Sequence, residues 1–420
     1  FSSTDDYLEG YLDHFRRAVR VRLNSVRPVG TQLSAGLDSS AVTALAAREL
    51  GKEDKTLVAY TSMPLHPAKK LFPNTLTNEW PLAHQVAELY DNIEHISIQA
   101  ENFAPLAAIE RSLEITQTPQ HAASNMYWII SLFEHARRRN LGVMLTGQLG
   151  NGSVSWTGGR DYIFHLLARN QWRKGLQALA ARKKRRGYSW FRTMKSHVLR
   201  PLLSPLWAEY QRFLYSFKKI QSSYSFPQEG FLKQLGLNES AEMISEWKRI
   251  DPLSERILTT IRSGTMVGPI LHSFGSFYNM EVRDPTADVR LLEFCMGVPD
   301  EQDTYEGGTR MLIRRSMAGV LPDSVRWNTV RGTQAADVVF RLMDQRMDVE
   351  RQLDRFQSTA EVTKYLDSAS MKRAWSTLVS SSSPPPSVTH ALLRAFNTAY
   401  FLLAISEGKG KNKATLERDL

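Results

Sequence analysis

Residues 33–40 read Leu-Ser-Ala-Gly-Leu-Asp-Ser-Ser, at a point where an apolar strand gives way to an alanine-rich helix. The small residues Ser34, Ala35 and Gly36 let backbone N–H groups close around an anion, and a helix beginning near Ser39 aims its partial positive end at the same spot. The hydroxyls of Ser34, Ser39 and Ser40 add donors. Asp38 is an acid among phosphate binders, which makes chemical sense when a divalent cation lies between carboxylate and phosphate. The octet also reads as a tight turn followed by a helix N-cap. It is not a Walker loop, because no Gly-Lys-Ser/Thr ends it and no lysine reaches for a terminal phosphate.

The elements that must hold this loop alternate. A helix over about Asp5 to Asn24 carries Leu8, Tyr11, Leu12, Phe15, Val19 and Leu23 on one face. Strands are expected at Gly30 to Leu33, Thr56 to Thr61, Ile93 to Ile98 and Val143 to Leu145. Helices are expected between them at Ser40 to Leu50, Asn78 to Tyr90, Phe103 to Leu113 and Asn125 to Arg139. Such alternation implies an α/β fold with a parallel twisted sheet, helices on both faces, and ligands at the carboxyl ends of the strands. From about Tyr162 onward the pattern becomes mainly helical, with loops expected around Gly264 to Gly268 and Asp300 to Gly308. Ser380 to Pro386 reads as a connector and residues 406–420 as a flexible tail.

Four ordered blocks now carry a resemblance. The octet is similar to the pyrophosphate loop of ATP pyrophosphatases. Val143 to Asn151 is similar to a second, Gly-rich motif of the asparagine synthetase family. Glu281-Val282-Arg283-Asp284-Pro285, with Asp288 after it, resembles that family's Glu-Val-Arg-x-Pro block. Gly308 to Arg314, followed by Leu321-Pro322-Asp323, resembles its late blocks. The resemblance implies one domain over residues 1–405, with an ATP-binding core at 1–165 and a helical substrate-binding part at 166–405. It implies ATP and Mg²⁺ as cofactors. The loop from Leu33 through Ala35 and Leu37 to Ser40 would hold pyrophosphate, chiefly by Ser34, Gly36, Ser39 and Ser40, while Asp38 would hold the metal. Thr61 and Met63 match the region that receives adenine, mostly through backbone groups, and Gly147 and Gln148 would complete the nucleotide site. Arg310 stands where relatives place a lysine facing the adenylate. Glu281 and Arg283 would orient substrate or base, or else form an ion pair holding a loop. Asp288 falls in the same block. Asn125, Tyr127 and Trp128 could line a peptide channel or belong to the core.

Departures from the family pattern narrow the chemistry. Ala35 replaces a glycine and restricts the loop's backbone angles. Gln148 stands where asparagine synthetases carry Glu, and Asn151 replaces a metal-binding Asp; its amide oxygen would still join Asp38 on Mg²⁺, but without charge. An amide cannot take a proton from an amine, so no general base sits at 148. Barely thirty residues precede the loop, and no glutaminase domain is expected in this chain. The amine is therefore expected to come from the substrate itself, as in the lasso peptide macrolactam synthetases of this family. Gly147 to Asn151 leading to Ser155-Trp156, Asn78 to Ala83, and Gly332 to Asp337 are similar to that branch. A peptide carboxylate would be adenylated and closed onto the N-terminal amine, with a precursor peptide as partner, and a leader peptidase and leader-binding protein beside it. Two alternatives stand: an asparagine synthetase-like ligase fed with ammonia, and a degenerate domain that binds without catalysis.

Composition fits a globular enzyme, with 42% hydrophobic and 23% charged residues. No signal-peptide pattern and no apolar run able to cross a bilayer are expected, which with the lone Cys295 points to the cytoplasm and away from membranes. The ten histidines show no metal-ligand spacing. Net charge is +10, and Arg182-Lys183-Lys184-Arg185-Arg186 forms a basic block beside Tyr188 and Trp190. With no accompanying motif the block argues for a solvated turn or a steering surface rather than nucleic-acid binding.

Overall fold

The computed structural model describes residues 3–159, 161–203, 225–235 and 252–408. Strands β1 (Val29–Gln32), β2 (Leu57–Ser62), β3 (Ile93–Ile98) and β4 (Val143–Leu145) lie within a residue or so of their expected places. A fifth strand, β5 (Glu281–Arg283), adds to the edge of β4, so strands do not end with the first third of the chain. The strand order is β3-β2-β1-β4-β5, and every pair is parallel. Winding outward from β1 through β2 to β3 and then back past it to β4 makes a switch point between β1 and β4. The loops leaving those two strands therefore open a crevice at their carboxyl ends.

Strand periodicity explains the two layers of helix. Leu57, Ala59, Val143 and Leu145 enter one core, with α1 (Thr4–Arg20) and α2 (Leu37–Gly51). Their alternates Val58, Tyr60 and Met144 enter the other. That second core contains α4 (Pro105–Thr116), α5 (Met126–Arg138) and the helix Pro386–Ser406. Between α2 and α4, α3 (Trp80–Ala87) begins with a proline in its first turn. In α2, buried residues from Leu37 to Leu50 occupy most of the circumference, which suits a helix enclosed by sheet and neighbours.

Three further expectations need correction. Gly264 and Gly268 lie inside the long helix Pro252–Phe277, not in a loop. Each interior glycine costs about 1 kcal/mol relative to alanine, a cost outweighed when the helix is anchored at both ends, here by buried Arg256 and Phe274. Asp300 to Gly308 is a helical turn at Asp300–Asp303 followed by a 3₁₀ turn at Tyr305–Gly307. Helix Pro386–Ser406 is long and apolar enough to cross a membrane by length and composition alone. It contributes Leu392, Phe396, Ala399 and Tyr400 to the core, which accounts for its apolar sequence. The connector at 381–385 is irregular, with a bend at 382–383, and the expected tail lies outside the described residues from 409 onward.

Candidate active site

The octet closes into a loop held by its own hydroxyls. Ser34 and Ser39 share a hydroxyl hydrogen bond of 2.6 Å, Gly36 N–H donates to Ser34 Oγ, and Ser40 Oγ donates to the Ser34 carbonyl. Helix α2 begins at Leu37, earlier than expected, with Gly36 as its N-cap. The first-turn N–H groups of Leu37, Asp38 and Ser39 therefore have no intrahelical acceptor and point out of the helix end, as anion binding requires. Ala35 is buried and keeps a negative φ, so the missing glycine costs nothing in backbone strain. Leu33 and Leu37 are buried and seat the loop from beneath.

The loop after β4 clasps the first one. A Cβ on Gly147 would lie 2.9 Å from the backbone of Asp38 and Ser39, and one on Gly150 would lie 2.3 Å from Asp38 Cγ. Only glycine permits this approach. Two buried groups hold the second loop in register. Asp284 accepts from Leu149 N–H at 3.0 Å and from the Thr286 hydroxyl at 2.6 Å. Arg256, from the helix Pro252–Phe277, donates to the carbonyls of Gly152, Ser153 and Cys295. Asp38 is consequently enclosed, and its Oδ1 has no hydrogen-bond partner among the described residues. Burial pushes its pKa up to about 6 against the opposing Ser155 hydroxyl and Arg310 charge.

That orphaned oxygen, beside a helix end suited to phosphate, fits a divalent cation that arrives with its phosphates. Mg²⁺ commonly takes one or two carboxylates and completes its shell with phosphate oxygens and water. No cluster of three His, Cys, Asp or Glu able to cage a metal occurs among the described residues. Asn151 Oδ1 accepts a 2.9 Å hydrogen bond from Arg310, so its oxygen is engaged by a guanidinium. Arg310 itself sits at φ 57 as the N-cap of a short helix; it reaches the edge of the crevice through Asn151 and is not one of the residues that line the cavity below.

A cavity of about 460 Å³ opens from the loop. Ser34, Gly36, Asp38, Ser39, Gly147, Gln148 and Asn151 line one end, with Gln148 facing Gln32 at 3.4 Å. Tyr60, Ser62 and Pro64 line the side next to β2. The Thr61 hydroxyl is turned the other way and bonds the Leu33 carbonyl and His95, while Met63 N–H continues the sheet to Ile98. Neither Thr61 nor Met63 is among the cavity's lining residues. The far wall is apolar: Met126, Trp128, Leu132, Phe133, Ile270 and Phe274. Asn125 bridges it to Gln334 at 2.8 Å.

Three expected site residues lie elsewhere. Glu281 is exposed at the start of β5, the amino end of the sheet, paired with Arg283. Arg283 donates to the carbonyls of Arg22 and Asn24, and Asp288 pairs with Arg22 and Arg290. The Arg290 hydrogen bond, against some burial, and then Arg22 hold Asp288 well below the usual carboxylate range. This trio fastens the end of α1 to β5, and none of it lines the cavity.

Glu79, at the start of α3 and inside the Asn78 to Ala83 stretch, has a place in the site that its sequence does not announce. Its carboxylate lines the cavity against Gly332, where a Cβ would meet Oε1 at 1.8 Å, and it has no hydrogen bond or ion pair among the described residues. Burial alone lifts its pKa to about 7 from the ordinary 4.5. A carboxyl that binds its proton more tightly folded than unfolded lowers stability as pH rises from about 4.5 to about 7, after which the loss is constant. Glu79→Gln removes that loss. The expected result is a variant whose Tm exceeds the parent's at pH 8 and converges with it near pH 4; equal Tm differences at both pH values would contradict the assignment.

Residues 10–394 match the Asparagine synthase family. Two curated relatives from Bacillus subtilis (strain 168) are similar to this chain. Asparagine synthetase [glutamine-hydrolyzing] 3 is 24% identical over 77% of this chain and 47% of its own length. Asparagine synthetase [glutamine-hydrolyzing] 2 is 27% identical over 76% of this chain and 38% of its own. The chain thus spans less than half the length of these relatives. The solved NMN synthetase from Francisella tularensis aligns with 37% of this chain and 58% of its own at 17% identity and a TM-score of 0.22, too slight an overlap to bear on fold or function. With a family match over most of its length, and with both glycine-rich loops meeting at Asp38, the chain belongs to the asparagine synthase family.

Proposed function

We propose that this chain is an ATP-dependent ligase that adenylates a side-chain carboxylate of a peptide and closes it onto the peptide's N-terminal amine. The observation that carries this reading is the clasp of the two loops around Asp38. Pyrophosphate gripped at the α2 end leaves the α-phosphorus open to a carboxylate entering from the cavity. In-line attack then forms an acyl-adenylate and releases pyrophosphate. A Mg²⁺ ion held at Asp38 would neutralise charge on the departing diphosphate. Arg310 faces the same crevice and offsets the negative charge that develops when the amine attacks the acyl carbon and AMP leaves.

Two observations favour a peptide over aspartate with ammonia. The wall opposite the loop is apolar, built from Trp128, Phe133 and Phe274, and suits a peptide's side chains better than a small dianion. Position 148 carries an amide and cannot accept a proton. A peptide α-amine, with a pKa of roughly 7.7–8.0, is already partly neutral near pH 8 and needs no strong base. Incubation with ATP, Mg²⁺ and either a linear peptide or aspartate plus ammonia separates the readings by mass spectrometry. Loss of one water from the peptide supports the proposal, asparagine supports the second reading, and no AMP from either points to a binding domain.

Arg310 offers a finer test. If charge is its contribution, Arg310→Lys retains AMP release within about tenfold of the parent, whereas Arg310→Ala loses about a hundredfold or more. Equal losses in steady-state assays would mean that the guanidinium's bond to Asn151 is what matters.

A further inference from the structure

The basic block is part of a longer anomaly. From Tyr162 to Leu203 the chain has eleven Arg and Lys and no Asp or Glu, while the other 42 basic residues face 43 acidic ones, so this segment accounts for the net charge of +10. It folds as the helices Tyr162–Ala168, Trp172–Arg186 and Trp190–Met194 with turns between them, the last running on through a π-helical stretch at Lys195–Leu199. Among the described residues its only ion pair is Lys174 with Glu301. Arg173, Lys184, Arg185, Arg186 and Lys195 are exposed. So are Trp172 and Leu176, one turn apart at 58% and 59%, and Phe191 at 73%.

This face is continuous with the active site. Helix Trp172–Arg186 packs so closely on Gly307 that a Cβ there would lie 2.4 Å from the Ala181 carbonyl carbon. Gly307 opens the turn that presents Arg310. Burial, and then the charges of Arg310, Arg185 and Arg186, push Arg314 down to about 10, so these guanidinium groups stand near one another. Arg185 also lies over Trp327 at 5.6 Å.

We propose that this basic face docks an acidic, extended polypeptide segment and leads it along Arg185 and Arg186 toward Arg310 at the mouth of the cleft. That the segment belongs to the peptide being closed rests on the ligase reading; its charge and extended form do not. A polypeptide fits better than RNA, because the rings of Trp190 and Tyr188, which could stack bases, are covered by cations, Lys183 at 5.2 Å and Arg192 at 4.1 Å, while Trp172 and Phe191 stay open to apolar side chains. It fits better than a bilayer, because a flat surface cannot follow cations into a cleft, whereas a chain with alternating acidic and apolar residues meets both Arg173 and its neighbours Trp172 and Leu176.

The test is fluorescence anisotropy on the full chain. The probes are a short labelled peptide of alternating Glu and Leu, its Gln counterpart, a single-stranded RNA of similar length, and phosphatidylglycerol vesicles. The protein is compared with the triple variant Arg173→Gln, Lys184→Gln, Arg186→Gln. The acidic peptide should bind more tightly than the Gln peptide, weaken with salt, and bind the variant about tenfold more weakly, while Tm and ATP binding stay unchanged. Equal binding by parent and variant would overturn the proposal, as would charge-dependent binding of RNA or vesicles that exceeds that of the acidic peptide. If the acidic peptide docks but no peptide yields AMP, docking stands and the ligase reading falls. If AMP is released and the charge variant changes nothing, docking alone falls.

Discussion

Asp38→Ala will reduce AMP release by about three orders of magnitude while leaving the protein folded. The expectation comes from the isolation of this carboxylate. Among the described residues Oδ1 has no hydrogen-bond partner, and both glycine-rich loops close on the side chain. A buried carboxylate oxygen left without a partner is costly, and a cation bound there with ATP would offset the cost where charge develops on the leaving diphosphate. Removing it also relieves a desolvated charge whose pKa is lifted to about 6, so Tm should hold or rise. Single-turnover measurement of AMP with circular dichroism as the fold control checks both halves. A variant with full activity would remove Asp38 from the chemistry.

Gly150→Ala should be nearly as damaging for a different reason. The added methyl would lie 2.3 Å from Asp38 Cγ and 2.6 Å from Oδ1, so the carboxyl must swing away or the second loop must lift. Overpacking of this kind costs about 1–3 kcal/mol of stability, and misplacing a reacting group by about 1 Å costs about a hundredfold in rate. Gly36→Ala is the contrast. There the new atom would meet the Ser34 hydroxyl at 3.2 Å and the Ser39 hydroxyl at an ordinary 4.0 Å, at an unstrained φ of −81°, and the loss should be several-fold. Comparable activity in the two variants would mean that the clasp is not what orients Asp38.

Much of this architecture is readable from residue order. The apolar runs at 57–62 and 143–145 and the amphipathic stretches of α1 and α5 carry periods that name their own secondary structure. The octet announces an anion site because its small residues, hydroxyls and acid have few joint uses. What stayed hidden depends on distant partners. β5 is three residues long with a charge at each end, and only the open edge of β4 makes it a strand. Glu281, Arg283 and Asp288 share a block with functional residues of relatives, yet here their partners are the end of α1 and each other. Thr61 and Tyr60 are adjacent, so which of them faces the cavity turns on strand register, fixed by pairing with β1 and β3. Glu79 lies in the Asn78 to Ala83 stretch, but neither it nor Arg256 signalled a place in the site, since burial against Gly332 and beneath the second loop arises only from the tertiary fold.

The central claim is that the end of α2 and the loop after β4 together hold the phosphates of ATP. A crystal structure with Mg²⁺ and the nonhydrolysable analogue α,β-methylene-ATP tests it most directly. The account predicts the β- and γ-phosphates against the N–H groups of Leu37 to Ser39 and the hydroxyls of Ser34 and Ser39, with the metal on Asp38. A nucleotide bound elsewhere, or phosphates that leave Asp38 and the first turn of α2 untouched, would contradict it.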